Sequence, residues 1–294
     1  KLSNDEQNKT FKQNIIPFEA EVPYRLTGWS NSIDLTKQDR ESLEKEVVNF
    51  YKEIMDDYKN KKTEVFNARQ STSISELENS PMFSRACLSL KNNLLNSESG
   101  IISEFKRKSP SLGWIHEHAD VVNVTSGYSA AGASGISILT DSEFFGGATQ
   151  DLVNARSNVH CPILRKDFVI DEYQLYEAKA MGADVILLIA AALSVVQTLR
   201  LAEKAHELGL EVLLEIHNAE ELAHTNDSVD MLGVNNRNLK DFTIDLHNTG
   251  RLAPMVPEGC LLIAESGILG DEDVRYLKET GANGFLIGRA LMES

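Results

Sequence analysis

The feature that most constrains this chain is a regular beat. Eight short apolar, strand-like runs recur at residues 101–105, 135–139, 162–165, 184–190, 211–216, 230–235, 260–264 and 284–287. Between them lie stretches with helical spacing of apolar residues, at 116–131, 149–158, 171–181, 194–208, 219–225, 246–252 and 271–280. A strand, a helix and another strand make a βαβ unit, whose crossover brings the chain back to pair in parallel. Eight such strands predict an α/β fold of one kind, a closed (β/α)8 TIM barrel, in preference to an open doubly wound sheet. No Gly-x-Gly-x-x-Gly follows the first run, which argues against dinucleotide binding.

In such a barrel the chemistry collects where strands run into the loops that follow them. The eight ends read Glu104, Lys106 and Lys108; Thr140 and Asp141; Lys166 and Asp167; Ala190 and Ala191; Glu215; Asn235 and Arg237; Glu265-Ser266-Gly267; and Gly288-Arg289. Glu104 and Lys106 are two apart, so on a strand they share a face. A carboxylate and an ammonium pointing inward are costly unless each has a partner or a task. Pro110 forces Ser109 out of the α region and ends the run. Carboxylates, lysines, an Asn and an Arg would thus converge on one mouth. The glycines at the last two ends let backbone N–H groups approach an anion, as in a phosphate grip. Lys108, on the strand next to the eighth, could add countercharge.

Charge and composition narrow the partners. A formal net charge of -15 fits poorly with nucleic acid or an anionic membrane surface, because both select basic surfaces. No apolar run near membrane-spanning length stands out, and the polar start lacks a signal-peptide pattern. Cys87, Cys161 and Cys260 form neither a disulfide framework nor a metal-ligand spacing. A cytoplasmic setting follows. Residues 1–35 read as an irregular arm interrupted by Pro17, Pro23 and Gly28. Leu43, Val47, Tyr51, Ile54, Met55 and Tyr58 then recur at helical spacing. Ser73 and Glu76 have the form of a capping box.

With these residues assembled, the chain resembles the indole-3-glycerol phosphate synthase family. The stretch from Ile102 to Ser111, reading ISEFKRKSPS, carries most of the likeness, joined by PILRKDF at 162–168, LLEI at 213–216, GVNNRNL at 233–239 and AESGI at 264–268. The likeness runs from about residue 49 to the end. It implies ring closure of 1-(2-carboxyphenylamino)-1-deoxyribulose 5-phosphate to indole-3-glycerol phosphate, with loss of carbon dioxide and water, in tryptophan biosynthesis. By that resemblance Lys166 is the general acid, Glu215 and Glu104 stabilise positive charge, Lys106 holds the substrate carboxylate and protonates the departing hydroxyl, and Asn235 orients the substrate. Arg237, Glu265 and Ser266 bind beside them, with Phe145 and Phe168 lining an aromatic pocket. Lys108, Ser109, Gly267, Gly288 and Arg289 fall at the phosphate end. Arg289 departs from the small residue common in the family. No metal and no organic cofactor is implied. Clustered lysines are expected to depress one another's pKa, which suits acid work near neutrality.

Two sibling activities, phosphoribosylanthranilate isomerase and the tryptophan synthase α-subunit, share the barrel and the phosphate grip, but the former resembles a Cys/Asp pair and the first strand here ends in Glu104 and Lys106. A non-catalytic barrel that binds a phosphorylated ligand would be expected to lose Lys166 or Glu215 first, and both are present. The expected organisation is an extra N-terminal arm with the start of the first helix at 1–48, a helical extension, followed by the (β/α)8 barrel with its leading helices at 49–294, the last helix cut short. Residues 11–48 are expected to pack over the seam between the eighth and first strands or against a second copy of it. The expected assembly is a monomer or weak homodimer acting on a phosphorylated small molecule.

Overall fold

A computed structural model describes residues 60–110, 112–238 and 243–293. The arm at 1–48, the first part of the leading helix, Ser111 and Leu239 lie outside the described residues. The eight expected strands form: β1 (Ile101–Phe105), β2 (Gly135–Leu139), β3 (Ile163–Lys166), β4 (Val185–Ile189), β5 (Glu211–Ile216), β6 (Met231–Asn235), β7 (Leu261–Glu265) and β8 (Gly284–Ile287). They are parallel throughout and close into a barrel, with β8 pairing β1 through Ile101↔Phe285 and Ser103↔Ile287. The fold expectation therefore holds.

Alternation along each strand decides what enters the barrel. Ile102, Leu164, Val185, Leu187, Leu213, Met231, Leu261, Ile263 and Leu286 form one buried interior cluster. Two residues further along the same inward rows come Glu104, Lys166, Glu215, Glu265 and Gly288, and Asn235 tops the row of Met231 and Gly233. An apolar floor thus lies beneath a polar rim, and strand period alone produces that layering. The floor is plugged from below by the helix Leu90–Leu95, whose Leu90 and Leu94 belong to the interior cluster. Gly135 and Gly284 make room for the plug. A Cβ on Gly135 would come within 2.5 Å of Leu90, and one on Gly284 within 3.1 Å of Leu94.

Outside the barrel the other strand parity packs against helices in a second large cluster that includes Phe105, Ile136, Ile186, Val212 and Phe285. The helices at 60–71, Val121–Ala130, Thr149–Arg156, Tyr173–Met181, Val195–Glu207, His247–Leu252 and Asp271–Glu279 supply the cover. The Ser73–Glu76 capping box forms as expected. Two elements differ from the sequence reading. The stretch at 219–225 makes only a 3-10 turn, Glu220–His224, and the helix after β1 begins at Val121, capped by Asp120, instead of at 116. The residues between are taken by a two-residue antiparallel ribbon, Lys108–Ser109 with Gly113–Trp114. After β8 comes the short helix Arg289–Met292.

Candidate active site

Lys166 stands at the centre of the rim. Its Nζ lies 2.7 Å from Oε2 of Glu265 and 3.7 Å from both Oε2 of Glu104 and Oε2 of Glu215. Three strands other than its own therefore aim a carboxylate at one ammonium. Lys106 Nζ donates to the other oxygen of Glu104 at 2.6 Å, the shared face that spacing two predicts. Asn235 Nδ2 donates to Oε1 of Glu215 at 3.0 Å, while its own Oδ1 accepts from the Arg237 backbone N–H. Nearly all of this is buried: the side chains of Glu104, Glu215 and Glu265 are 4%, 7% and 1% exposed.

Protonation follows from that crowding. Burial pulls the Lys166 ammonium down, but Glu265, Glu104 and Glu215 together outweigh it and hold its pKa well above the usual lysine value. This corrects the expectation that neighbouring lysines depress it: the near neighbours are carboxylates. Burial raises Glu104 and Glu215 as well, yet both end below the ordinary glutamate value, Glu104 through Lys106 and Lys166, Glu215 through His217, Lys166 and Asn235. Glu265 goes the other way, pushed up to about 7 by burial and by Glu215 and Glu104, against the pull of Lys166. Its Oε1 has no hydrogen-bond partner and faces Gly233, where a Cβ would come within 2.1 Å of it.

The phosphate-end candidates gather partly. Ser266 takes a left-handed φ of 66°, as does Gly267 at 81°, so two successive residues curl at the end of β7. Buried Asn236 holds that curl, donating to the Ser266 carbonyl at 3.4 Å and accepting from Thr249 Oγ1 at 2.8 Å. A left-handed serine is strained. Ser109 Oγ is buried without a hydrogen-bond partner. Arg237 has its pKa lowered by burial and then by the charge of Arg289. Arg289 Nε also pairs with Glu293 at 2.9 Å. Lys108 turns toward the neighbouring loop: its Nζ donates to the Glu143 carbonyl at 2.9 Å and lies 5.8 Å from the Trp114 ring centre.

Several participants escaped the sequence reading. Phe144, neighbour of the expected Phe145, meets Phe168 edge to face at 6.4 Å between ring centres; Phe145 itself is half-buried beside it. Arg107 pins the loop after β1 to the helix Thr149–Arg156, with two bonds to Asp151 at 2.6 and 2.9 Å, and to the loop before it through the Gly146 carbonyl. Lys61, from the helix at 60–71, is buried between Asp141 at 3.0 Å and Asp167 at 2.9 Å. His217, two residues beyond Glu215, has Nε2 at 3.3 Å from Oε1 of Glu215. The same spacing argument that joined Glu104 to Lys106 could have found it. No sequence signal separates Lys61 from Lys59 and Lys62.

Among the described residues no cluster of His, Cys, Asp and Glu is arranged to hold a metal ion, and no helix is long and apolar enough to cross a membrane. The arrangement is that of an acid flanked by anions, able to donate a proton to an oxygen while carboxylates face a developing cation. The sequence profile of the indole-3-glycerol phosphate synthase family matches residues 54–294. The indole-3-glycerol phosphate synthase of Bacteroides thetaiotaomicron is 52% identical over 235 residues, covering 80% of this chain and 90% of that protein. That of Bordetella pertussis is 40% identical over 242 residues, covering 80% and 91%. Among solved structures, a tryptophan synthase α-subunit from Pyrococcus furiosus superposes with a TM-score of 0.52 at 18% identity, over 66% of this chain and 89% of that one. An N-acetylmannosamine-6-phosphate 2-epimerase from Clostridium perfringens gives 0.54 at 14%, over 69% and 91%. At these identities the two structures speak to the barrel alone.

Proposed function

This chain belongs to the indole-3-glycerol phosphate synthase family, and we propose that Lys166, Glu215 and Lys106 divide the family's reaction among them. That reaction is the decarboxylating, dehydrating ring closure of a phosphorylated substrate, 1-(2-carboxyphenylamino)-1-deoxyribulose 5-phosphate, in tryptophan biosynthesis. Lys166 protonates the ketone oxygen as the aromatic carbon attacks the carbonyl carbon and the C=O π electrons move to that oxygen. An ammonium held charged by three carboxylates is a strong electrostatic partner for that oxygen, and closure of the ring moves positive charge onto the aromatic system. Glu215 and Glu104 face that charge in a dry site, where fixed charges act strongly. Lys106 holds the substrate carboxylate and supplies the proton with which the hydroxyl departs as water, while Glu215 or Glu104 takes up the proton that the new ring gives up as it becomes aromatic. Asn235 orients Glu215, and Glu265 holds Lys166 while it waits.

Lys108, Ser109, Gly267, Gly288 and Arg289 would receive the phosphate, with Arg237 and Ser266 binding the substrate beside them. The unpartnered buried hydroxyl of Ser109 and the left-handed curl at Ser266-Gly267 support that assignment. Phe145, Phe144 and Phe168 would line the aromatic end. The division into an arm at 1–48 and a barrel at 49–294, a cytoplasmic location and a monomeric or weakly dimeric state complete the reading. The observation that carries it is the single ammonium of Lys166 shared by Glu104, Glu215 and Glu265. The test is indole fluorescence developing when purified protein meets the substrate, in the presence of chelator. Lys166→Met should then abolish turnover while affinity for a phosphorylated product analogue is kept. A variant that keeps its kcat and loses only affinity would remove Lys166 from the acid role.

A further inference from the structure

The rim holds three carboxylates, Glu104, Glu215 and Glu265, against two ammoniums, Lys106 and Lys166. One negative charge is left over in a buried site, which costs free energy unless another cation or a bound proton compensates it. His217 stands where that cation would be. Its side chain is 7% exposed, with Nδ1 hydrogen-bonded to Oε2 of Glu221 at 3.3 Å and Nε2 at ion-pair distance, 3.3 Å, from Oε1 of Glu215 without the alignment of a hydrogen bond. The same Glu221 oxygen accepts the His217 backbone N–H at 2.7 Å, and Asn218 Nδ2 holds the other oxygen at 2.8 Å. Glu221 is thereby fixed as a second-carboxylate backstop.

A neutral imidazole has one N–H and one lone pair, so it would turn a lone pair against one of these two carboxylates. Only the doubly protonated ring turns positive charge toward both. Burial works against that charge, but Glu215 and Glu221 outweigh it and raise the imidazole to about 9. The charged groups facing the ring are Glu215 from its own strand and Glu221 from the 3-10 turn. From the helix His247–Leu252, Asn248 contacts only its backbone carbonyl. Beyond Glu215 stand Lys166 of β3 and Asn235 of β6.

We propose that His217 is a positioning residue for the ring closure, an imidazolium clamped between Glu215 and Glu221 that keeps the Glu215 carboxylate ionised and in place opposite the substrate. It touches no reacting atom; it acts through Glu215, and so rests on the role given to Glu215 above. Its charge faces both Glu215 and Glu221, which keeps the Glu215 carboxylate free of a proton when the substrate arrives.

The test is kcat and KM against pH for His217→Asn, Glu221→Gln and Glu215→Gln, with 15N shifts of the His217 ring. Both ring nitrogens are expected to be protonated at pH 7.5. His217→Asn should lower kcat roughly tenfold with KM little changed. It should also move the acidic limb of kcat to higher pH, because Glu215 loses a cation, and remove the alkaline limb near pH 9. Glu221→Gln, which leaves the ring in place, should bring that alkaline limb to lower pH. A neutral His217 tautomer, or a His217→Asn protein with an unaltered pH profile, would overturn the proposal. If Glu215→Gln itself keeps full kcat, the role of Glu215 fails instead. If it loses kcat while His217→Asn does not, only the role of His217 fails.

Discussion

Gly288 shows how one residue can serve two neighbours at once. Its φ of -117° is open to any side chain, so the reason for glycine there is space. A Cβ would come within 2.4 Å of Oε1 of Glu104 and 3.3 Å of its Cβ. The sequence reading placed Gly288 at the phosphate, and on that ground alone Gly288→Asp would act on KM. The structure adds Glu104 at the back of the same glycine. Gly288→Ala, with no charge to repel phosphate, is therefore expected to push Glu104 off Lys106 and Lys166 and to lower kcat by about ten- to a hundredfold, the usual cost of a misplacement near 1 Å. Steady-state kcat and KM for the alanine variant decide it, and a raised KM with an unchanged kcat would confine Gly288 to the phosphate. Residues of this rim were legible because period two and strand ends pick them out: Glu104, Lys166, Glu215 and Glu265 all top inward rows. What was not legible was pairing. A sequence shows that Lys106 and Lys108 are present, but not that Lys166 alone would sit among three carboxylates and have its pKa raised by them.

The elements around the mouth are joined by buried ion pairs, and the one tying the leading helix to the barrel is Lys61. It bridges Asp141 after β2 and Asp167 after β3, and Asp167 also takes Arg165 at 3.1 Å and Thr140 Oγ1 at 2.6 Å. Asp167 adjoins Lys166, so the helix at 60–71 helps to set the strand end that carries the acid. Lys61→Met leaves two buried carboxylates short of a cation, a change of about 3–5 kcal/mol by the usual cost of breaking a buried pair. Its Tm should fall by on the order of 10 °C. The pH dependence has a definite sign. Burial would raise Asp167, but Arg165, Lys61 and Thr140 bring it from 3.8 down to about 2. Its contribution is complete above the unfolded value and is lost as pH falls toward 2. Lys61→Met should move Asp167 back up and shift the acid unfolding midpoint to higher pH, as circular dichroism would follow. An unshifted midpoint would count against this coupling. The helical spacing read from Leu43 to Tyr58 pointed to a helix leading into the barrel. Its docking was not legible, because a lysine on a charged helix reads as solvated, and only tertiary structure places carboxylates opposite it. The 3-10 turn at Glu220–His224 was missed for a similar reason: its apolar spacing is helical, but Glu221 is drawn back to His217 and Asn218.

At the scale of the whole molecule, the two ends of the barrel carry different burdens. Every proposed catalytic and binding side chain lies between Glu104 and Arg289, at the end where the strands finish. Residues 1–48 supply none of them. Deleting residues 1–35 is expected to leave kcat near its starting value and to lower the melting temperature through loss of cover, whereas unchanged melting and solubility would remove the packing role. The opposite end of the barrel has its own buried network, centred on Asp184 at the start of β4. One of its oxygens accepts from Arg85 at 2.6 Å and the Leu88 N–H at 2.7 Å; the other accepts from Arg156 and the Ile163 N–H, both at 2.8 Å. Asp184 is fully buried, so this carboxylate ties the segment before the plug helix, the helix Thr149–Arg156 and the start of β3 together. Asp184→Asn keeps its shape but leaves the buried guanidinium of Arg156 without a countercharge, and the amide N–H₂ can no longer accept on that side. The expected loss is about 3–5 kcal/mol, seen as a lower Tm, with kcat and KM of the remaining folded protein unchanged at low temperature. A kcat that fell in step with stability would mean that the floor of the barrel transmits strain to the rim, and that the two ends are not separable.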